Sequence, residues 1–410
     1  MRGANRSRVV MAGCVILIVA GGVFAQDWPQ WRGPDRDGKV SGFTAPQQWP
    51  QELTQKWKIT VGTGCATPAL VGDKLYIFAR QGDDEVTLCL DAGTGQEIWR
   101  DQYAAQEVTG APGRHPGPRS SPAVAEGKVV TLGVGGILSC LDAGTGKLVW
   151  RKDPFPKVVP QFFTSCSPIV VDGMAIAQLG GDGNGAILAY DLAGGNEKWR
   201  WADEGPAYAS PALLTVAGTK QIVTLTEKSV VGVAAADGKL LWQRPFAPAR
   251  RAYNAATPIV DGQTVIYTGA ARGTYAVKIE KQGDAFAVKE LWSNPDVAPQ
   301  FNTPVLEGGM LFGLSNRGNF FCLNAQTGQT AWMDDTQRDR GGFAALLNAG
   351  SCLLALPSNS ELLVFKPNDK QYEETAKVKV ADTPTYAHPV VAGKRIFIKD
   401  QETVALCMIE

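Results

Sequence analysis

His115 stands with Arg114 and Arg119 in one Gly- and Pro-punctuated stretch, and comparable stretches recur down the chain. They carry Phe162 and Phe163, then Tyr208, then Arg251, Tyr253 and Asn254, then Gln300, Phe301 and Asn302, then Phe343, and last Tyr386 and His388. Aromatic faces stack on sugars, bases or peptide side chains, while Arg, Asn and Gln add directional hydrogen bonds, so the chemistry open to this set is recognition. The alternative use of the same groups is to fill a central channel. Catalytic signatures are missing: there is no G-x-S-x-G elbow, no H-E-x-x-H helix and no C-x-x-C-H haem site. Both histidines precede a proline, lie far apart and lack a third ligand, so no metal site is assigned. Asp35, Asp37 and Gly38 begin like a calcium loop, but the other oxygen ligands of a twelve-residue loop are absent.

What must hold these residues is a repeat. The segment Leu141 to Trp150 (LDAGTGKLVW) has copies at Leu90 to Trp99, Tyr190 to Trp199, Ala234 to Trp242 and Leu323 to Trp332. Each reads as a strand end, an Asp or Asn, a Gly-centred turn and a second strand that delivers a Trp, which is a β-hairpin. A proline opens the first strand of most units, at Pro68, Pro122, Pro168, Pro211, Pro258, Pro304 and Pro389, and Leu346 takes that place in the seventh unit. Eight units spaced by 42 to 54 residues fit four-stranded propeller blades. No sustained 3.6-residue apolar period supports helical repeats. The recognition residues all fall in the segments that feed the innermost strands, so they should gather at one mouth of the axial channel. The first feeder, Gly110 to Ser121, is the longest, and long loops inside compact domains are often functional.

The fold expected is all-β: an eight-bladed β-propeller of four-stranded antiparallel blades over residues 55–410. The last unit has only three strands before the sequence ends, and Gln55 to Val61, with Trp57, carries the missing strand signature. Pairing of that N-terminal strand into the last blade would close the ring and remove the open sheet edge. Trp57, Trp99, Trp150, Trp199, Trp242, Trp292 and Trp332 are expected to bury their rings between blades as structural residues. The seventh unit offers only small or aliphatic residues at that place, and should be the loosest blade.

Residues 1–25 read as an export signal, with Arg2, Arg6 and Arg8 ahead of the apolar run Val9 to Phe24 and a small-residue cleavage site at Val23 to Ala25. The run is short for a retained membrane span, and most of it follows Cys14, which disfavours a lipid anchor there. Residues 26–54 form a leader whose tryptophans should pin it to a blade. The 40 basic residues equal the 40 acidic ones, and without the three signal arginines the count is 37 against 40, which argues against nucleic acid as a partner. Of the eight cysteines, Cys89, Cys140, Cys322 and Cys407 share one place in the third strands of their units, where a small buried residue is expected.

The D-x-x-T-G-x-x-x-W hairpin repeated around the chain resembles the pyrroloquinoline quinone repeat, found in quinoprotein alcohol dehydrogenases and in the outer-membrane β-barrel assembly lipoprotein. The resemblance covers Gln55 to the C-terminus. Family members that oxidise alcohols stack the quinone on a disulfide between adjacent cysteines and hold calcium beside a catalytic Asp. This chain has no Cys-Cys pair and no matching set of Asp, Glu and Asn. The function expected is therefore an exported, non-catalytic propeller, periplasmic or extracellular, that serves as a binding or assembly scaffold with a cell-envelope protein as partner. The resemblance implies as alternatives a quinone-dependent dehydrogenase with a divergent site, or a lectin-like receptor for a glycan or other small ligand. No bound quinone, calcium or other cofactor is expected, and no integral membrane domain after removal of the signal.

Overall fold

Strands of two kinds alternate around the molecule. Inner strands such as Leu353–Pro357 and Met174–Gly181 are buried along their whole length. Each is sandwiched between the neighbouring blades, which is why it is written as a continuous apolar run. The outermost strands, such as Glu97–Ala104 and Thr54–Thr60, are mostly exposed and carry charge. The computed structural model describes residues 27–410, so the export reading of residues 1–25 lies outside the described residues.

Eight four-stranded antiparallel sheets result, seven of them with their strands in chain order from the axis outward. Blade 1 is built from Ala69–Val71, Lys74–Gln81, Asp84–Asp91 and Glu97–Ala104. Blade 8 contains Val390–Ala392, Arg395–Lys399 and Thr403–Met408, and its fourth strand is Thr54–Thr60 from the other end of the chain. Trp57 pairs with Leu406 in that ladder. The ring therefore closes as the sequence predicts, with an N-terminal strand sealing the last blade. The one helix among the described residues is a short 3₁₀ turn, Ala111–Arg114, in the long first feeder.

The repeated hairpin joins each blade to the preceding one. In blade 2, Asp142 Oδ1 accepts hydrogen bonds from the N–H groups of Gly144 and Thr145 and from the Thr145 hydroxyl. This fixes the turn and turns the next carbonyl, Ala143 O, outward to accept from Trp99 Nε1 at 3.2 Å. The same bond runs from Trp57 to Ala92, Trp150 to Leu192, Trp199 to Ala235, Trp292 to Ala325 and Trp332 to Asn368. Gly146, at φ 72°, lies against the Trp99 ring so closely that a Cβ there would sit 2.5 Å from Cε3. Trp242 is the exception. Blade 5 replaces the short turn with the long hairpin Gly273–Gln282 and Ala285–Asn294, so Trp242 Nε1 donates to Gln221 Oε1 of its own blade.

The recurrent cysteines are explained by the same geometry. Cys89, Cys140 and Cys322 each pair directly across the ladder with Trp99, Trp150 and Trp332, where only a small side chain leaves room for the indole. All seven described cysteines are free thiols.

Blade 7 carries Ala376 at the tryptophan position, paired with Val364. That position is small, as expected, and the turn before it supplies an aromatic residue that the sequence reading did not use. Tyr372 packs on Phe320 at 5.4 Å, Phe365 at 5.1 Å and Trp332 at 6.2 Å, with the Arg338 guanidinium 4.7 Å from its ring. Tyr372 thus fills the boundary of blades 6 and 7. The apolar cluster shared by blades 1, 7 and 8 also takes in Phe43 and Trp49 of the leader.

Candidate functional site

The leader does more than lie on one blade. Trp28 exchanges backbone hydrogen bonds with Leu70 in blade 1, and Pro29 O accepts from Val124 N in blade 2. Arg36 donates to Ser167 O and Pro168 O in blade 3, and Arg32 to Thr303 O and Pro304 O in blade 6. Val40 and Asn348 tie the far end of the segment to blade 7. Both arginines are fully enclosed, and burial holds Arg32 down at about 10 and Arg36 at about 9. A segment that touches blades on opposite sides of the ring crosses its axis. Residues 28–40 therefore stopper one end of the channel, a wider role than contact with one blade.

The other end opens as a blind funnel of about 420 Å³. Its lining follows the repeat register. The residue three before each blade-opening proline, or before Leu346, lines the funnel in every blade: Cys65, Arg119, Ser165, Tyr208, Ala255, Phe301, Phe343 and Tyr386. Two residues further on lies a deeper tier, which includes Ser167, Ser210, Thr257, Thr303 and His388. Trp31 lines the same cavity from the leader, its Nε1 donating to Thr257 Oγ1 at 3.1 Å and its ring 4.6 Å from His388.

The deeper tier is stitched around the axis. His388 N donates to Thr67 Oγ1, Thr67 N to Ser121 Oγ, Ser121 N to Ser167 Oγ, Ser167 N to Ser210 Oγ and Thr257 N to Thr303 Oγ1. Each hydroxyl satisfies a buried N–H two residues ahead of the innermost strand of the preceding blade, which would otherwise lack a partner. The visible signal is a Ser or Thr directly before the proline in six units, and sequence reasoning passed over it.

The upper tier forms a nearly continuous belt of rings. Phe162 contacts Tyr253 at 4.9 Å and Tyr208 at 6.3 Å; Tyr253 stacks on Phe301 at 6.3 Å. Phe301 and Phe343 are parallel at 4.6 Å, Phe343 meets Tyr386 at 5.4 Å, and Tyr386 meets His115 at 5.0 Å. Arg119 spans the remaining gap, donating to Phe162 O at 2.7 Å and His115 O at 3.0 Å. Burial lowers the Arg119 pKa and pushes the Tyr208 phenol up to about 12. His115 is lowered by burial, with Arg119 and Arg114 adding to the effect. His388 is pushed down to about 3 by burial and by Arg32, so its imidazole is neutral.

Of the fifteen residues expected at this mouth, His115, Arg119, Phe162, Tyr208, Tyr253, Phe301, Asn302, Phe343, Tyr386 and His388 line the funnel. Arg114 lines a smaller adjoining chamber with His115, Tyr386, Asp400 and Glu402. Phe163 does not face the funnel: it is buried with Val108 and Val134, because a φ of 63° turns it away from its neighbour Phe162. Asn254 is consumed as a brace, donating to Thr226 O and Phe246 O, and Gln300 accepts from Tyr253 N. Asn302 likewise ties Leu314 O to Gly342 O while edging the cavity. Arg251 is exposed outside the lining. Trp31 and Cys65 are lining residues that the feeder pattern alone did not select.

No Asp or Glu lines the funnel, and no group of three His, Cys, Asp or Glu positioned to hold a metal exists among the described residues. The seven described cysteines include no adjacent pair to act as a stacking bed. The donor set therefore does not fit a calcium ion with a stacked quinone.

Comparison with known proteins places the chain among propellers of two kinds. The family described as outer membrane protein assembly factor BamB matches residues 82–334. The chain is similar to the outer membrane protein assembly factor BamB of Yersinia pestis, 22% identical over 370 residues, covering 85% of this chain and 81% of the relative. It is also similar to the quinohemoprotein alcohol dehydrogenase of Comamonas testosteroni, 32% identical over 139 residues. That match covers 33% of this chain and only 19% of the dehydrogenase's length. Among solved structures, BamB from Moraxella catarrhalis superposes with a TM-score of 0.65 at 15% identity, over 87% of this chain and 99% of its own. The Comamonas testosteroni dehydrogenase superposes with a TM-score of 0.69 at 16% identity, over 95% of this chain and 81% of its own. At those identities the superpositions speak for the fold alone.

Proposed function

The chain belongs to the outer membrane protein assembly factor BamB family, and on that premise we propose that it is an exported, non-catalytic scaffold of outer membrane assembly. The observation that supports this most is the funnel. The channel in which a quinone centre would have to be built is walled by aromatic rings, a tier of Ser and Thr hydroxyls, two histidines and one arginine, with no carboxylate to hold a cation. A propeller with a rigid frame, a stoppered axis and loops displayed around one mouth is suited to holding partners. No helix among the described residues is long and apolar enough to cross a membrane, and export rests on the signal-like residues 1–25.

Photo-crosslinking in the native envelope tests the reading. A crosslinker at the exposed Arg251 beside the mouth should capture an outer membrane assembly component. Purified protein given pyrroloquinoline quinone, calcium and an alcohol should reduce no artificial electron acceptor. Quinone-dependent turnover, or a chain with no assembly partner in the envelope, would overturn it.

A further inference from the structure

Among the described residues, two polar groups in the funnel stand out: Arg119 is a partly buried cation with no counter-ion, and His388 has a buried ring nitrogen with no hydrogen-bond partner. Arg119 carries five N–H donors in a planar fork. Three contacts account for it, to Phe162 O at 2.7 Å, His115 O at 3.0 Å and Pro112 O at 3.5 Å, all carbonyls. Among the described residues it makes no ion pair. The carboxylate whose field reaches it, Glu85, is itself buried and taken up by the Tyr103 hydroxyl and Val134 N. Deeper in, His388 is 3% exposed and its Nδ1 has no hydrogen-bond partner.

A partly buried guanidinium without a counter-ion is a ready partner for a carboxylate, and a buried ring nitrogen without a partner is costly. Both groups line one cavity, and the wall between them is aromatic. Phe301 remains 37% exposed although it is stacked on Phe343, so an apolar face is held open to the funnel. A guanidinium selects a carboxylate by geometry as well as charge, and ring faces select a ring. The lack of wall carboxylates removes the repulsion that would exclude an anion. A volume of about 420 Å³ suits a molecule of one or two rings.

We propose that the funnel is a binding site for a small ring-bearing carboxylate, its anionic end on Arg119 and its ring against the Tyr208, Tyr253, Phe301 and Phe343 wall, above the floor made by Trp31 and His388. This goes beyond the scaffold reading and does not rest on it. Two sources share that chemistry, aromatic acids and sugar acids.

Calorimetric titration of the purified protein distinguishes them, using 4-hydroxybenzoate against 4-hydroxybenzamide and glucuronate against glucose. At least one acid should bind ten-fold or more tightly than its neutral counterpart, and the pair that shows the difference identifies the source. Arg119→Gln should bring that acid down to the level of the neutral compound. Since Arg119 also braces two loops, the wild-type comparison of acid with neutral compound serves as the measurement that no misfolding can imitate. Binding should also change tryptophan fluorescence, and Trp31→Phe should remove that change. Equal binding of acid and neutral compound in both pairs, or no binding of either acid, overturns the inference. Because the titration uses isolated protein, it can fail while envelope crosslinking succeeds, and the reverse.

Discussion

Replacing Gly146 by Ala tests the idea that the turn glycines are there for the neighbouring blade's tryptophan as well as for the turn. Two costs are expected. At φ 72° an L-residue sits in the left-handed region, which costs about 1 kcal/mol relative to glycine. The new methyl would also stand 2.5 Å from Trp99 Cε3 and 2.6 Å from Cδ2. That ring cannot swing aside: it is 8% exposed, donates to Ala143 O at 3.2 Å and packs 5.9 Å from Tyr76. Overpacking of such a site costs about 1 to 3 kcal/mol, so Gly146→Ala should lose about 2 to 4 kcal/mol in all.

The control is Gly262→Ala. Gly262 has a φ of 58°, but a Cβ there would meet nothing within 4 Å. It should lose only the conformational part, about 1 kcal/mol. Urea unfolding followed by circular dichroism gives both values. A cycle with Trp99→Leu isolates the contact, because in that background Gly146→Ala should fall to about the Gly262→Ala cost. Equal costs for the two glycine substitutions, or a Gly146→Ala cost unchanged by loss of the indole, would refute the stacking argument.

Three further outcomes are expected. His388 stays neutral in the folded protein down to about pH 3 while the unfolded chain takes up a proton near 6.5. Its contribution is therefore present above pH 6.5 and lost as the pH falls toward 3, by no more than about 5 kcal/mol at 1.36 kcal/mol per pH unit. His388→Gln should flatten that acid limb in unfolding titrations. Glu85 has the opposite sign: burial raises its pKa, so its contribution is full below the unfolded value of 4.5 and is lost as pH rises through the folded value. Glu85→Gln should therefore gain on the wild type between pH 4 and pH 7, and a falling difference over that range would contradict the assignment. Tyr372 is half-buried, so Tyr372→Ala should cost less than a fully buried ring, about 2 kcal/mol, by empty volume at the boundary of blades 6 and 7, and hydrogen exchange should rise first in Glu361–Phe365 and Glu374–Lys379.

The fold was legible because a repeat multiplies a weak signal. One Asp-Gly turn followed by a Trp says little, but five copies in register fix blade, period and closure, down to the pairing of Thr54–Thr60 with Thr403–Met408. The funnel's upper tier was legible for the same reason, since a fixed offset from each proline picks out residues that point at one axis. Side chains outside that offset were not. Phe163 follows Phe162 by one residue, and only a left-handed backbone, which no side-chain pattern announces, sends it into the core. Asn254 and Gln300 look like ligand contacts in the sequence, yet loops that cross a barrel-like mouth need their own backbone satisfied, and the nearest amides are spent on that. Tyr372 was missed because its turn, like that of blade 5, departs from the repeat.

The leader is the part that changes what the repeat means. Eight blades alone enclose a channel open at both ends, and a belt of Ser and Thr hydroxyls lines it without closing it. Residues 28–40 close one end, and they do so with arginines whose donors go to blade carbonyls on opposite sides of the ring. Those bonds compensate the burial of two cations only if the blades hold a fixed distance from one another, so stopper and ring stabilise each other. A through-channel offers a small molecule walls but no floor, whereas the funnel has a floor in Trp31 and His388. The floor of the proposed site therefore comes in part from a segment outside the repeat, and two propellers with the same blades can differ in function through that segment alone.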